Sequence, residues 1–359
     1  MRRKPKSKKA IFLLAVSIIA LVSGYFNFAQ ISSFIFRDNT SRITRERNYV
    51  GSLYEGNYIW GGAMNLAWNE LAETIIKEPV QLNSQDEKVL SLVAKFNAPA
   101  VTTDDLDNKS YYVKSGYGQA TVDTINKESK RKFPSKSFGD LNLHLGPQNI
   151  ISYAYFLKEV EYPVAFEETT VKFLDLTYKG FSIDGEKSRT NVEIVKYWND
   201  DKFIISLRLK NRGDQLIVAK GFEMNDPTAV ANEIVQNSQE SFASLGEYDV
   251  FAMPNLHLEY RRHYNELLNI PFANANFSGY SISEMYENIA FDMDYKGARV
   301  ENEAVIDVLD TFVMVKNNKL LIMDKPFWVV MKRTNSNNPY FILGVVNDKI
   351  MEKVVTQGM

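Results

Sequence analysis

The sequence predicts an α+β fold built on large mixed or antiparallel sheets. Segments with a helical period come first, and short β-branched and aromatic runs dominate from about Asn149 onward. Strands and helices do not alternate regularly, which argues against a doubly wound parallel sheet.

Each element follows from its local pattern. In "NYIWGGAMNLAWNELAETIIKE" the apolar spacing is near 3.6 from Met64 to Ile76, behind a Gly-Gly turn, and predicts a helix. "SQDEKVLSLVAKFN" predicts a second, with Ser84 as its cap. Thr121–Phe133 predicts a polar surface helix whose thin apolar side is Val122, Ile125 and Phe133. After Asn149, "IISYAYFL", "TTVKFLDLTYKGFSI", "NVEIVKYW", "KFIISLRLK" and "QLIVAKGF" read as strands, separated by turn pieces such as "NDDK" and "NRGDQ". "DPTAVANEIVQNSQESF" predicts a helix with Asp226 as cap and Pro227 as first helical residue. "DVFAMPNLHLEY" reads as strand, "HYNELLNI" as helix, and "FWVVMKR" and "YFILGVV" as closing strands.

Composition narrows the function. The chain has 359 residues, 45% hydrophobic and 13% aromatic, enough to bury a large core. Six of its 42 Lys and Arg lie in residues 1–9, which leaves a body with 36 basic against 44 acidic side chains. So acidic a body does not suit nucleic acid, whose phosphates require clustered cations. With no cysteine, disulfides, thiol nucleophiles and Cys-ligated metals are excluded.

The N-terminus is organised separately. Residues 1–9 are basic, 10–28 form an uncharged run, 29–45 read as a polar tether, and 46–359 form the body. A run of 19 residues just spans a bilayer. The cations before it stay cytoplasmic, so the body is expected on the outer side. A cleaved signal peptide is the competing reading, with Val22-Ser23-Gly24 the better cleavage site. The body is then either membrane-anchored or secreted.

Catalytic constellations are missing from the sequence. His144, His257 and His263 have no metal-ligand spacing, and His257, within an alternating run, reads as structural. No GxSxG, GxGxxG or GxxxxGK[ST] occurs. The pairs Asp104-Asp105 and Glu167-Glu168 read as solvated surface, and the basic run Lys127–Lys132 as a solvated helix face. Asn39, Asn108 and Asn276 head glycosylation triplets that matter only in a glycosylating host. The chain is not expected to be an enzyme, and no cofactor or metal is implied.

Several stretches, in order, resemble the serpin family of serine-protease inhibitors. "VFAMPNLHLEYRRHYNELLNIPFANANFSG" is similar to the family's Pro-containing strand, helix and turn. "MYENIAFDMDYKG" resembles the strand before the reactive loop, and "MDKPFWVVMKRTNSNNPYFILGVVND" the closing hairpin. "TINKESKRKF", "AYFLKEVEYPVAF" and "KNRGDQLIVAKGF" resemble upstream family segments, with Tyr162 where Trp is usual. The resemblance spans about residues 46–351. It implies a monomer with three β-sheets, eight or nine helices and a reactive centre loop near the C-terminus. It also implies a protease as partner. In this family the cut loop inserts into the main sheet and traps the protease before deacylation, a release of stored strain.

The resemblance places the hinge at Gly297, Ala298, Arg299, Val300, Asn302 and Ala304. Period-two reading puts Ala298, Val300, Asn302, Ala304, Ile306 and Val308 on one face, apolar except for Asn302, and mostly charged residues on the other. Insertion with the apolar face inward is therefore possible, although an ordinary edge strand alternates in the same way. The scissile bond falls among Thr311, Phe312, Val313, Met314, Val315 and Lys316: near Thr311-Phe312 by one count, near Val315-Lys316 by the other.

The chain also departs from the family. Arg299 and Val300 replace small hinge residues, Gly61-Gly62-Ala63-Met64 replaces Ser-Pro-x-Ser, Glu287 stands where His is expected, and an expected Asn falls near Ser152. The polar cluster that gates the central sheet is therefore rebuilt or absent. Two functions remain open: an inhibitor of a serine or cysteine protease, and a non-inhibitory serpin-fold binding or decoy protein.

The N-terminal alternatives are separated by sequencing the protein isolated from its source. An anchor predicts retention of residues 1–28, whereas a signal peptide predicts a new N-terminus shortly after Gly24.

Overall fold

A computed structural model describes residues 49–135, 138–183, 185–238, 242–299 and 318–354. Two short strands, β1 (Ser52–Tyr54) and β2 (Asn57–Gly61), precede helix α1 (Ala63–Glu70), which runs on as a π-helical turn, Leu71–Ile76. Next come α2 (Glu87–Asn97), β3 (Tyr111–Tyr117), α3 (Gly118–Lys132), β4 (Ile150–Phe156) and β5 (Glu159–Glu161). The hairpin β6 (Glu167–Phe173) and β7 (Leu176–Ser182) leads to α4 (Gly185–Arg189), β8 (Val192–Asn199), β9 (Lys202–Leu207) and β10 (Asp214–Lys220). After α5 (Pro227–Asn237) lie β11 (Ala243–Ser244), β12 (Val250–Pro254), β13 (Leu256–His263) and β14 (Tyr286–Met293). The last strands are β15 (Gly297–Arg299), β16 (Leu320–Ile322), β17 (Phe327–Arg333) and β18 (Pro339–Val345).

The strands form an eight-stranded sheet, β1-β2-β18-β17-β10-β9-β8-β11, two four-stranded sheets, β16-β12-β7-β6 and β13-β14-β15-β5, and the pair β3-β4. Among the described residues there are thus four hydrogen-bonded sheets rather than the three expected. The extra division arises because β4 is not paired with β14, so strands β3 and β4 stand apart from β13-β14-β15-β5.

The core runs along the eight-stranded sheet. Every residue of β10 and β18 is buried, as is all of β17 except Arg333. Strands covered on both faces read as continuous apolar runs rather than alternating ones. The "FILG" stretch has a steric reason: Gly344 pairs with Trp328, and a Cβ there would lie 2.8 Å from the indole ring. The hairpin β6–β7 turns through Leu174 (φ 46°) and Asp175 (φ 71°), consistent with the double positive φ of a tight antiparallel connection.

The α+β order matches the sequence reading, with corrections in detail. The second helix is capped by Asp86, which accepts from Lys88 N at 2.8 Å, while Ser84 accepts from Asp86 N. Asp226 caps α5 as expected, accepting from Ala229 N at 2.9 Å. The helix expected over His263–Ile270 is only a 3₁₀ turn, Asn265–Leu267. Asn269 turns to φ 59°, and Pro271 disfavours helix in the residue before it. Among the described residues there are five α-helices rather than eight or nine, with the π-helical turn and four 3₁₀ turns besides. Asp105 is not simply solvated surface, since its carboxylate accepts from Thr102 N, Ser336 Oγ and Asn338 Nδ2. His257 sits across β13–β14 from Asp292, with Nδ1 to Oδ1 at 2.6 Å, as a structural histidine. No helix among the described residues is long and apolar enough to cross a membrane, and the run 10–28 lies outside them.

A buried ionic cluster joins β4–β5 to the large sheet. Lys158, between those strands, reaches Asp214 of β10 at 2.6 Å; Arg333 of β17 lies 3.4 Å from the same carboxylate, and the Tyr340 hydroxyl donates to it at 3.3 Å. Asp214 is fully buried at its side chain and Lys158 is 7% exposed. Removing one partner of such a pair strands the other charge, at a cost of roughly 3–5 kcal/mol. Lys158→Met is therefore expected to lower the urea midpoint strongly, and the double variant with Asp214→Asn to recover part of the loss.

Candidate functional site

The site lies where β15 meets its neighbours. Asp294 ends β14 and shapes the turn: its Oδ1 accepts from Lys296 N at 2.7 Å and Gly297 N at 3.2 Å. The chain then reverses, and β15 pairs antiparallel with β14 through Asp292↔Arg299 and Met293↔Ala298. On its other side it pairs antiparallel with β5 through Gly297↔Glu161, Ala298↔Val160 and Arg299↔Glu159. The turn is fastened further where Tyr162 N donates to Lys296 O and Phe166 N to Tyr295 O. β14 and β5 are consequently parallel to each other with β15 wedged between them.

This wedge is short. Only Asp292 and Met293 of β14 pair with β15, while Tyr286–Phe291 have no strand partner on that edge among the described residues. β4 is paired to β3 along one edge and has no described partner on the other. At Arg299 the backbone is directed antiparallel to β14 and toward these two unpaired edges. Sheet edges with unsatisfied N–H and C=O groups are templates for a further strand.

The register also assigns the faces. Ala298 is buried, and its inward neighbours along β14 are Met293, Phe291, Ile289 and Glu287, all buried. Gly297 is sterically fixed: a Cβ would lie 2.1 Å from Val160 O, so only glycine lets β15 approach β5 this closely.

Helix α1 lies behind the unpaired edges and contacts β3, β4 and β14. It is tied to β4 by Ser152, whose Oγ donates to Ala67 O at 2.5 Å and receives the Ser115 hydroxyl at 2.6 Å. It is tied to β14 by Glu287, whose Oε1 accepts from Met64 N at 3.4 Å while Oε2 accepts from Tyr264 OH at 3.2 Å. Burial pushes the Glu287 carboxyl up to about 7 despite these two donors and the Arg262 charge. Gly61 is its steric complement, since a Cβ there would lie 3.2 Å from Glu287 Oε1; Gly62 is set instead against Val101, where a Cβ would lie 2.8 Å away. Glu287, Ser152 and Ser115 thus form a polar set that links α1 to β14, β4 and β3. The Nδ2 of buried Asn65 on α1 has no hydrogen-bond partner among the described residues.

The chain is anchored again from Lys319 onward. Asp249 accepts from Lys319 N at 3.0 Å and Gly246 N at 2.9 Å, with the Lys319 ammonium at 3.2 Å. Burial opposes its charge, but these bonds prevail and hold its carboxyl below the usual range. Leu320 N donates to Asp200, and β16 pairs parallel with β12.

Of the predicted site residues, Gly297, Ala298 and Arg299 form β15; Val300, Asn302, Ala304 and the segment from Thr311 to Lys316 lie outside the described residues. Tyr162, in the place of a Trp, is buried on Phe166 and Phe181, and its hydroxyl has no partner among the described residues. The serpin resemblance marked Glu287 as unusual, but not as the link between α1 and β14. Ser115 and Asn65 carry no sequence signal that distinguishes them from any other polar residue. Among the described residues, no group of three or more His or carboxylate side chains could hold a metal ion.

No protein-family model matches the chain, and no curated protein matches it significantly. Among solved structures it is similar to the mouse protein-Z dependent protease inhibitor, at 12% identity and TM-score 0.49, covering 82% of this chain and 91% of that one. It is similar to Tengpin, a thermophilic serpin in its native state, at 13% identity and TM-score 0.48, covering 82% and 90%. It is also similar to Serpin48 of the insect Tenebrio molitor, at 13% identity and TM-score 0.44, covering 81% and 92%. Likenesses at these values do not decide what the chain does; strand order and register carry the reading that follows.

Gly297→Ala tests the wedge. Forcing a methyl into backbone is expected to cost about 1–3 kcal/mol and to speed hydrogen exchange of the β15 amides. Unchanged protection would mean that β15 does not pack against β5 this tightly.

Proposed function

We propose that the body is a serpin-like trap for a serine or cysteine protease, held outside a membrane by residues 10–28 or released by their cleavage. Proteolysis within residues 300–317 frees the segment after β15 to insert between β14 and β4. The observation that carries this reading is the wedge itself: β15 enters between β14 and β5, antiparallel to both, and is directed along two unpaired edges. Continued in the same register, the inserted strand sets Val300 opposite Phe291, Asn302 opposite Ile289 and Ala304 opposite Glu287. Ala298 already faces inward, so the apolar set of the alternating segment turns to the core and the charged set to solvent.

The inserted face suits its neighbours. Ala304 is small where Glu287 and the first turn of α1 come close. Asn302 lies one inward place from Glu287, at a diagonal separation of about 7 Å that long side chains can bridge. That contact gives Asn302 a buried partner and avoids an unmet-bond cost of about 1–3 kcal/mol. Insertion converts a kinetically held body into a more stable one, as the strain mechanism requires.

The hinge favours a second reading, a non-inhibitory decoy or binding protein. A charged Arg299 and a β-branched Val300 at the first inserting positions slow insertion relative to deacylation. A slow loop is cleaved without trapping.

The full chain incubated with a panel of serine and cysteine proteases separates these readings. An SDS-stable adduct with a sharp rise in thermal stability supports the trap. A thermal rise without adduct supports the decoy, and clean cleavage with neither sinks insertion altogether. Ala304→Arg is expected to leave cleavage intact and abolish the thermal rise.

A further inference from the structure

Glu287 is a carboxyl group without a paired cation at the junction of three elements. It is 7% exposed, on the inward face of β14, against the first turn of α1. Arg262, from β13, is the cation acting on it, but its guanidinium is engaged elsewhere. It donates to Val50 O at 2.9 Å and Gly51 O at 2.5 Å and stacks over the Tyr264 ring at 4.2 Å. Tyr264, just after β13, supplies one hydroxyl. The first turn of α1 carries no acidic residue, Gly61 presents only backbone, and the nearby tie to β4 is the neutral Ser152.

We propose that Glu287 is a pH-responsive latch on the uncleaved body: with its proton it fastens α1 to β14, and without it the buried charge favours their separation. The protonated group keeps Oε1 as acceptor for Met64 N and can donate from its other oxygen to the Tyr264 oxygen, and it holds no charge out of water. The ionised group has the same two donors but must remain charged out of water, and moving α1 away from β14 is the way to hydrate it.

The sign follows from linkage. The folded group titrates at about 7, above its ordinary 4.5, so the folded state holds the proton over a range in which the unfolded state has lost it. Its stabilising effect is complete below 4.5 and is lost as the pH rises through about 7. The effect on loop insertion rests on the function proposed above: an uncleaved body that loosens toward alkaline pH opens its central sheet more readily. The latch itself does not need a target protease.

The test is urea denaturation of the uncleaved full chain from about pH 5 to pH 8, alongside Glu287→Gln. The wild-type folding equilibrium is expected to fall relative to the variant by on the order of tenfold or more across that range. Amides in the first turn of α1 should exchange faster at the alkaline end in wild type only, after correction for intrinsic rates. Parallel curves for the two proteins would overturn the latch. Tyr264→Phe removes a donor that steadies the ionised form and should move the transition to higher pH; an unmoved transition also overturns the proposal. If Glu287→Gln does not fold, carboxyl ¹³C titration of wild type decides the question, because a glutamate titrating near 7 is required. None of these measurements involves protease. A failed latch therefore leaves the thermal rise on loop cleavage intact, and a failed trap leaves the pH curves intact.

Discussion

Three residues of backbone pairing organise this molecule. Gly297–Arg299 supply the hydrogen bonds that join β14 to β5, and below them β14 and β4 are not paired. Backbone N–H and C=O groups are obligatory hydrogen-bonding groups, and a sheet edge left open inside a domain is a standing demand for a partner. The wedge sets the direction from which a partner strand comes and fixes which face of that strand turns inward. Without β15 the two edges would have neither a common register nor a defined spacing.

The elements around the wedge keep the gap in place without closing it. Helix α1 lies behind both edges and is linked to them through Ser152 to Ala67 and Glu287 to Met64. Each link has a small neighbour: Gly61 before α1 admits Glu287, and Ser115 completes the hydroxyl chain from β3. Farther along the sheet, Lys158 is pinned through Asp214 to the large sheet, so the β4–β5 edge cannot drift. Apolar packing holds the rest, with Trp328 fitted over Gly344 and three strands buried almost throughout. The space between these edges is thus bounded by packed material and crossed by polar links.

Much of the architecture could be read from the chain. β-Branched and aromatic runs marked most of the strands from β4 to β18, and Asp226-Pro227 marked the start of α5, because strand propensity and capping are local. The helix over His263–Ile270 failed because Tyr264 and Leu267 are core residues, which mimics an amphipathic period within a single 3₁₀ turn. The sheet count failed because pairing between β4 and β14 is a non-local fact. The site was half legible: the serpin resemblance singled out Gly297, Ala298 and the oddity of Glu287, whereas Ser115 and Asn65 became visible only through their neighbours.

The sequence by itself determined the α+β class, the absence of thiol chemistry and the alternating segment after Gly297, because composition and short-range periodicity suffice for these; the early strands β1, β2 and β3 were not legible in it. Tertiary structure decided where that segment is aimed. Antiparallel pairing to β14 and β5 puts Ala298 on the buried side, which the alternation alone left undetermined. It also turned Glu287 from an odd substitution into the buried link between α1 and β14. A carboxyl group is costly or cheap according to what surrounds it, and its surroundings here come from residues far away in the chain.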